Sequence, residues 1–141
     1  MVQKAGLIGI ETVTHNLNRR LGEMTIASKF GLNRAVILIR ASTESTPPKT
    51  PISKSYPGHV GGHLRSSWHQ EFYQNAAKGL IGIVFGFTAN YAAYVHEMVG
   101  GEGGAINWSR PGSGAKWFQA ALGRNRKKIL SIIQANASIK R

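Results

Sequence analysis

Apolar positions recur at helical spacing through the first third of the chain. Ile10, Val13, Leu17, Leu21 and Met24 step by three or four, with Arg19, Arg20 and Glu23 to the side. Ala27, Phe30, Arg34, Ile37 and Ala41 continue the run toward Ser45. Gly31 and Asn33 fall between the two runs, so one long helix and two shorter ones are both open. The period then drops to two. Leu64, Trp68 and Phe72 share one face of an extended segment, opposite Arg65, Ser67, His69, Glu71 and Tyr73. Ile81, Ile83, Phe85 and Phe87 line a second segment, opposite Leu80, Gly82, Val84, Gly86 and Thr88. The polar stretch 74–79 ends in glycine and suits the loop of a hairpin. Two glycines on one strand face mark a close backbone approach, so the Gly82–Gly86 face is expected to receive a helix.

From Tyr91 the helical period returns. Tyr91, Tyr94, Val95 and Met98 predict a short helix over 90–98 with Asn90 as its N-cap. Phe118, Leu122, Ile129, Ile132, Ile133 and Asn136 trace one stripe of a last helix over 115–137. Two irregular arms separate these elements. Residues 46–62 hold Pro47, Pro48, Pro51 and Pro57, with His59 in the same stretch. Residues 99–114 hold six glycines around Ile106 and Trp108. Arms this long inside a compact domain are either functional or unstructured. Trp108 either tucks against its own domain or waits for a partner. The pattern predicts one α+β domain over 1–141. A long N-terminal helix and a C-terminal helix pack on a small antiparallel hairpin over about 63–88, with the short helix between.

Charge narrows the function. Eighteen Lys and Arg face six acids, all glutamate, for a net charge of +12. Such a surplus implies a polyanionic or acidic partner, or an oligomer whose neighbours absorb it. The missing aspartates remove Ser-His-Asp triads and aspartate metal sites. The missing cysteines remove thiolate zinc and cysteine nucleophiles, and fit a reducing compartment. No apolar run approaches a membrane span, and the N-terminus lacks the order of a signal peptide.

Little in the chain points to chemistry. No phosphate-binding glycine loop, nucleophile elbow or H-E-x-x-H motif is present. The five histidines lack the companions that a zinc site needs, so no metal and no cofactor is expected. His96 and Glu97 could form an acid–base pair, but adjacent helical residues point about 100° apart and are not expected to converge. Arg124, Arg126, Lys127 and Lys128 form a compact basic run on the last helix, open to nonspecific phosphate contact.

Three segments in order carry a family resemblance. Gly62–His63–Leu64–Arg65–Ser66–Ser67 resembles the T-G-x-L-R-x-S segment of the small head–tail connection proteins of long-tailed double-stranded-DNA bacteriophages, labelled neck, tail-completion or minor capsid proteins. Asn90–Tyr91–Ala92–Ala93–Tyr94–Val95–His96–Glu97 resembles their Y-A-x-Y-V-H/E-E-G segment. Lys116–Trp117–Phe118–Gln119–Ala120–Ala121–Leu122 resembles the start of their last helix, R-P-F-L-x-x-A-L. The match covers about residues 6–137. The family has Asp before its Thr-Gly, where this chain has Gly61–Gly62. It also has glycine directly after the short helix, where Met98–Val99 intervene here.

The resemblance implies a non-catalytic virion protein, a subunit of a sixfold ring at the head–tail junction, assembled in the host cytoplasm. Its partners would be further copies, head-completion and tail-terminator or tail-tube proteins, and the genomic DNA in the channel. The motif residues Leu64, Arg65, Trp68, Tyr91, Tyr94, His96, Glu97, Trp108, Trp117 and Phe118 would then serve packing and interfaces, and the two arms would reach neighbours. The alternative is a stand-alone nonspecific nucleic-acid-binding protein that uses the basic run.

Overall fold

The computed structural model describes residues 3–53, 60–100 and 106–137, with side chains from residue 9 onward. The N-terminal run is a single helix, α1 (Gln3–Ser45), of 43 residues. At 1.5 Å per residue it is about 65 Å long, twice the diameter of a small domain. Gly31 does not break it. The last helix, α4 (Trp117–Ala137), runs back along α1. Gly31 is buried beneath it, where a Cβ would lie 2.9 Å from Cβ of Asn136. At the other end of this contact, Arg124 reaches Ser42, Thr46 and Pro47.

Strands β1 (Trp68–Asn75) and β2 (Leu80–Phe87) form the expected antiparallel hairpin, paired from Trp68–Phe87 to Asn75–Leu80. Its turn is tighter than predicted. Gln74 and Asn75 belong to the strand, and a single 3-10 turn over 76–78 closes on Gly79 at φ 58°. The first strand also starts later than its alternation suggests. Residues 63–66 form a helical turn, α2 (His63–Ser66), entered from Gly62 at φ 90°. Ser66 and Ser67 hydroxyls donate to the carbonyls of His63 and Leu64 and hold that turn.

The register puts Trp68, Phe72, Ile81, Ile83, Phe85 and Phe87 on one face. The helices cover the β2 side of this face and leave Phe72 39% exposed, which corrects the expectation for Gly82 and Gly86. Phe118 of α4 sits 5.8 to 6.4 Å from the rings of Phe85, Phe87 and Trp68. Gln70 donates to Asn33 of α1 at 3.0 Å, and Arg40 of α1 lies 5.5 Å over the Trp68 ring. Bulk decides the outcome, because four large side chains on one face bury more apolar area than the glycine face offers. Gly82 serves the hairpin itself. The Tyr73 ring from β1 lies across it, and any Cβ there would run into that ring. Above Gly86 a Cβ would meet nothing within 4 Å.

Helix α3 (Ala92–Glu97) follows β2, starting two residues later than predicted. Asn90 does not cap it; Tyr91 holds the N-cap position without a side-chain bond. Leu64, Ala92 and Trp117 form the buried core cluster, with Phe87, Ala89, Val95 and Phe118 packed around it. The described parts of the two arms fold back on their own chain rather than outward. Lys49 N–H donates to Gly112 O at 2.8 Å, and Thr50 N–H donates to Thr43 O at 2.8 Å. Gly112, at φ 78°, stands where a Cβ would lie 3.4 Å from Cγ of Pro47. The rest of each arm, residues 54–59 and 101–105 with Pro57, His59 and four of the glycines, lies outside the described residues.

Candidate functional site

The three segments that carry the family resemblance meet in space. Leu64 comes from the first, Ala92 from the second and Trp117 from the third, and all three are at most 9% exposed. Residues 28 and 25 positions apart thus form one apolar cluster. Trp68 and Phe118 extend it as an aromatic group, with Phe87 edge-on to Trp68 at 5.3 Å and to Trp117 at 6.1 Å. The motifs are a packing unit. Beside the core the second and third also bring His96, Glu97 and Lys116 together.

His96 and Glu97 do converge, against the expectation drawn from helix geometry. Glu97 is the last residue of α3, and its long side chain folds back so that Oε1 lies 2.8 Å from His96 Nδ1. Its other oxygen pairs with Lys116, whose backbone N–H donates to His96 O at 2.8 Å. The imidazole stacks edge-on against Trp117 at 4.8 Å, and its Nε2 accepts from Gln119 N–H at 3.4 Å. That acceptor role requires the neutral ring, with the proton on Nδ1 toward Glu97. Burial, and secondarily the Lys116 ammonium, hold the His96 pKa below its ordinary 6.5. Both imidazole nitrogens are therefore occupied within the chain. The group fastens α3 to the start of α4.

The basic run divides. The Arg124 guanidinium donates to carbonyl oxygens of Ser42, Thr46 and Pro47 and to Ser42 Oγ, at 2.9 to 3.2 Å. It thus closes the C-terminal end of α1, where unpaired carbonyls concentrate negative potential. Arg110 does the same from the second arm, donating to Glu44 O at 2.7 Å, Thr50 O at 3.1 Å and Glu44 Oε2 at 3.0 Å. Arg65 Nε adds a third contact to Glu44 at 2.7 Å. Sequence pattern singles out Arg124 as a polyanion contact and passes over Arg110 and Glu44. Their pairing spans 66 residues, so no local pattern could announce it. Arg126, Lys127 and Lys128 remain exposed on α4.

The other predicted residues scatter. Tyr94 is 72% exposed, and Tyr91 lies 6.0 Å from the His63 ring. Trp108 is half-buried on its own domain, lining a cleft of about 630 Å³ with Pro51, Val60, Leu64 and Val95. What sequence reasoning missed is how bare α1 is. Ile10, Val13, Leu17 and Leu21 are each 58 to 64% exposed, although their spacing reads as a buried stripe. Among the described residues no three His, Asp or Glu side chains group to hold a metal, and no helix is long and apolar enough to cross a membrane. Comparison with family models, with curated proteins and with solved structures finds no match for the chain.

Proposed function

We propose that this chain is a structural subunit of the head–tail junction of a long-tailed double-stranded-DNA bacteriophage, non-catalytic and assembled as a ring. The observation that carries the reading is the convergence of the three resembling segments. Leu64, Ala92 and Trp117, one from each, build a single core. A shared fold requires an apolar core built from all three segments, whereas the polar group His96–Glu97–Lys116 beside it joins only the second and third. The bare apolar stripe on α1 supports the same reading, because exposed apolar surface rimmed by charge marks a protein interface. In this reading the partners are further copies, sixfold, with head-completion and tail-terminator or tail-tube proteins above and below.

The mass in solution tests it, measured by light scattering at several concentrations and two salt levels. A sixfold ring gives about 92 kDa, six times the 15.3 kDa chain. A second reading rests on Arg126, Lys127 and Lys128, which stay exposed and are free to meet phosphate. A strict monomer that binds duplex DNA with a steep salt slope would favour that nucleic-acid reading instead.

A further inference from the structure

We infer that the projecting half of α1 docks on the outer face of the hairpin of a second copy of this chain, head to tail. The first half of the contact is a continuation. Ile10, Val13, Leu17, Leu21 and Met24 sit eighteen residues before Ser28, Gly31, Ala35, Ile39 and Ser42, and eighteen residues are five whole helical turns. The bare stripe and the buried face over Gly31–Ser42 are therefore one face of one rod. Helix α4 covers its C-terminal half, with Asn136 beside Gly31. The N-terminal half keeps the same apolar character, and among the described residues Ile10, Val13 and Leu17 stay 58 to 64% exposed, while Leu21 and Met24 border a cleft shared with the hairpin turn of the same chain.

The second half is the outer face of the hairpin. Tyr73, Leu80 and Val84 are 47, 48 and 61% exposed there, and Gly86 leaves open space above the strand. Glycine on a strand face admits close approach of another backbone, and Gly82 already has its occupant in Tyr73. The inner face lies against α1 and α4 of its own chain, so a neighbouring helix on the outer face would enclose the sheet on both sides.

Charge names a second copy as the occupant. The chain carries +12, yet over residues 9–27 Arg19 and Arg20 balance Glu11 and Glu23. Over the hairpin, 68–87, Lys78 balances Glu71. Both of these bare apolar surfaces are neutral, so two copies of a strongly basic chain can meet there without repulsion. Nucleic acid would choose the basic surfaces instead. Area favours the head-to-tail mode. Two separate patches, the α1 stripe and the outer hairpin face, lie bare. A two-fold dimer of standard size covers only about 800 Å² per chain, whereas a head-to-tail subunit is covered by two neighbours. Pairing stripe with stripe in antiparallel fashion, Ile10 opposite Met24, would also set Glu11 near Glu23.

Three variants and a mixing experiment decide it, read by sedimentation or light scattering. Leu17→Lys damages only the arm and Val84→Lys only the hairpin face. Both sites are exposed, so each variant should keep the wild-type unfolding midpoint. Each alone should weaken association at least about thirty-fold, the loss of one hot-spot side chain. Gly86→Val suits a strand and should leave the monomer as stable as before, yet block association to the same degree. Mixed one to one, the Leu17 and Val84 variants each retain the half that the other lacks. They should form a dimer of about 31 kDa that grows no further. A Val84→Lys protein that associates like wild type overturns the inference and points to stripe-on-stripe pairing. Mixed variants that stay monomeric at concentrations where wild type is fully associated overturn it, as does a wild-type chain that never associates. A ring that forms despite all three variants would sink this contact while leaving the proposed function standing.

Discussion

Two glycines on α1 show how one residue type takes opposite roles. At Gly22 a Cβ would meet nothing within 4 Å on an exposed helix, so Gly22→Ala should stabilise by about 0.5–1 kcal/mol through helix propensity. At Gly31 the same methyl would press on Asn136 Cβ at 2.9 Å, and α4 must shift to admit it. Gly31→Ala should therefore cost roughly 1–2 kcal/mol, the propensity gain notwithstanding. The urea midpoint should fall for Gly31→Ala, while Gly22→Ala should show as added helicity of the projecting half of α1 by circular dichroism. His96 supplies a pH test. Its folded pKa lies below 6.5, so the unfolded chain binds more protons in the window below that value. Stability contributed by the neutral ring is present above pH 6.5 and is lost as pH falls through the depressed pKa. Replacing His96 with Gln should flatten that part of the stability–pH curve, followed by thermal melts between about pH 4 and 8. In sequence, Gly31 leaves one long helix and two shorter ones both open, and His96 reads as a residue pointing away from Glu97. Each outcome depends on what Lys116 and α4 bring alongside. That helix begins only at Trp117, well after α1 and α3 have ended, so neither neighbourhood is written in the local pattern.

At the level of elements, the periods are readable because each reports burial against something, and α1, the hairpin, α3 and α4 all exist where the spacing places them. The period does not say what covers a face. Ile81, Ile83, Phe85 and Phe87 outweigh the glycine face, and only the joint register with Trp68 and Phe118 makes that plain. The arginines illustrate the same gap. In sequence Arg124 is indistinguishable from its neighbours Arg126, Lys127 and Lys128, yet its guanidinium closes the end of α1. Arg124→Gln should cost about 1–2 kcal/mol of stability by denaturant unfolding, the scale of a charged hydrogen bond left unmade. Arg126→Gln, on the exposed side of the same helix, should change it by less than about 0.5 kcal/mol. If the basic run also meets DNA, the second substitution, and not the first, should reduce the salt slope by roughly 0.9 per lost contact.

For the whole molecule, the core is small and the rod is long. The buried apolar cluster lies at one end, where Leu64, Ala92 and Trp117 join α2, α3 and α4. Helix α1 leaves that end carrying an apolar face that its own chain covers only part of the way. A helical segment of some twenty residues without packing is marginal in water. One continuous helix should thus hold two very different degrees of permanence. Backbone amides of residues 10–24 should exchange with deuterium rapidly in the free chain, while those of 31–42 exchange only on global unfolding. On assembly the fast half should slow toward the rest, so deuterium uptake along α1 would read directly how complete the assembly is.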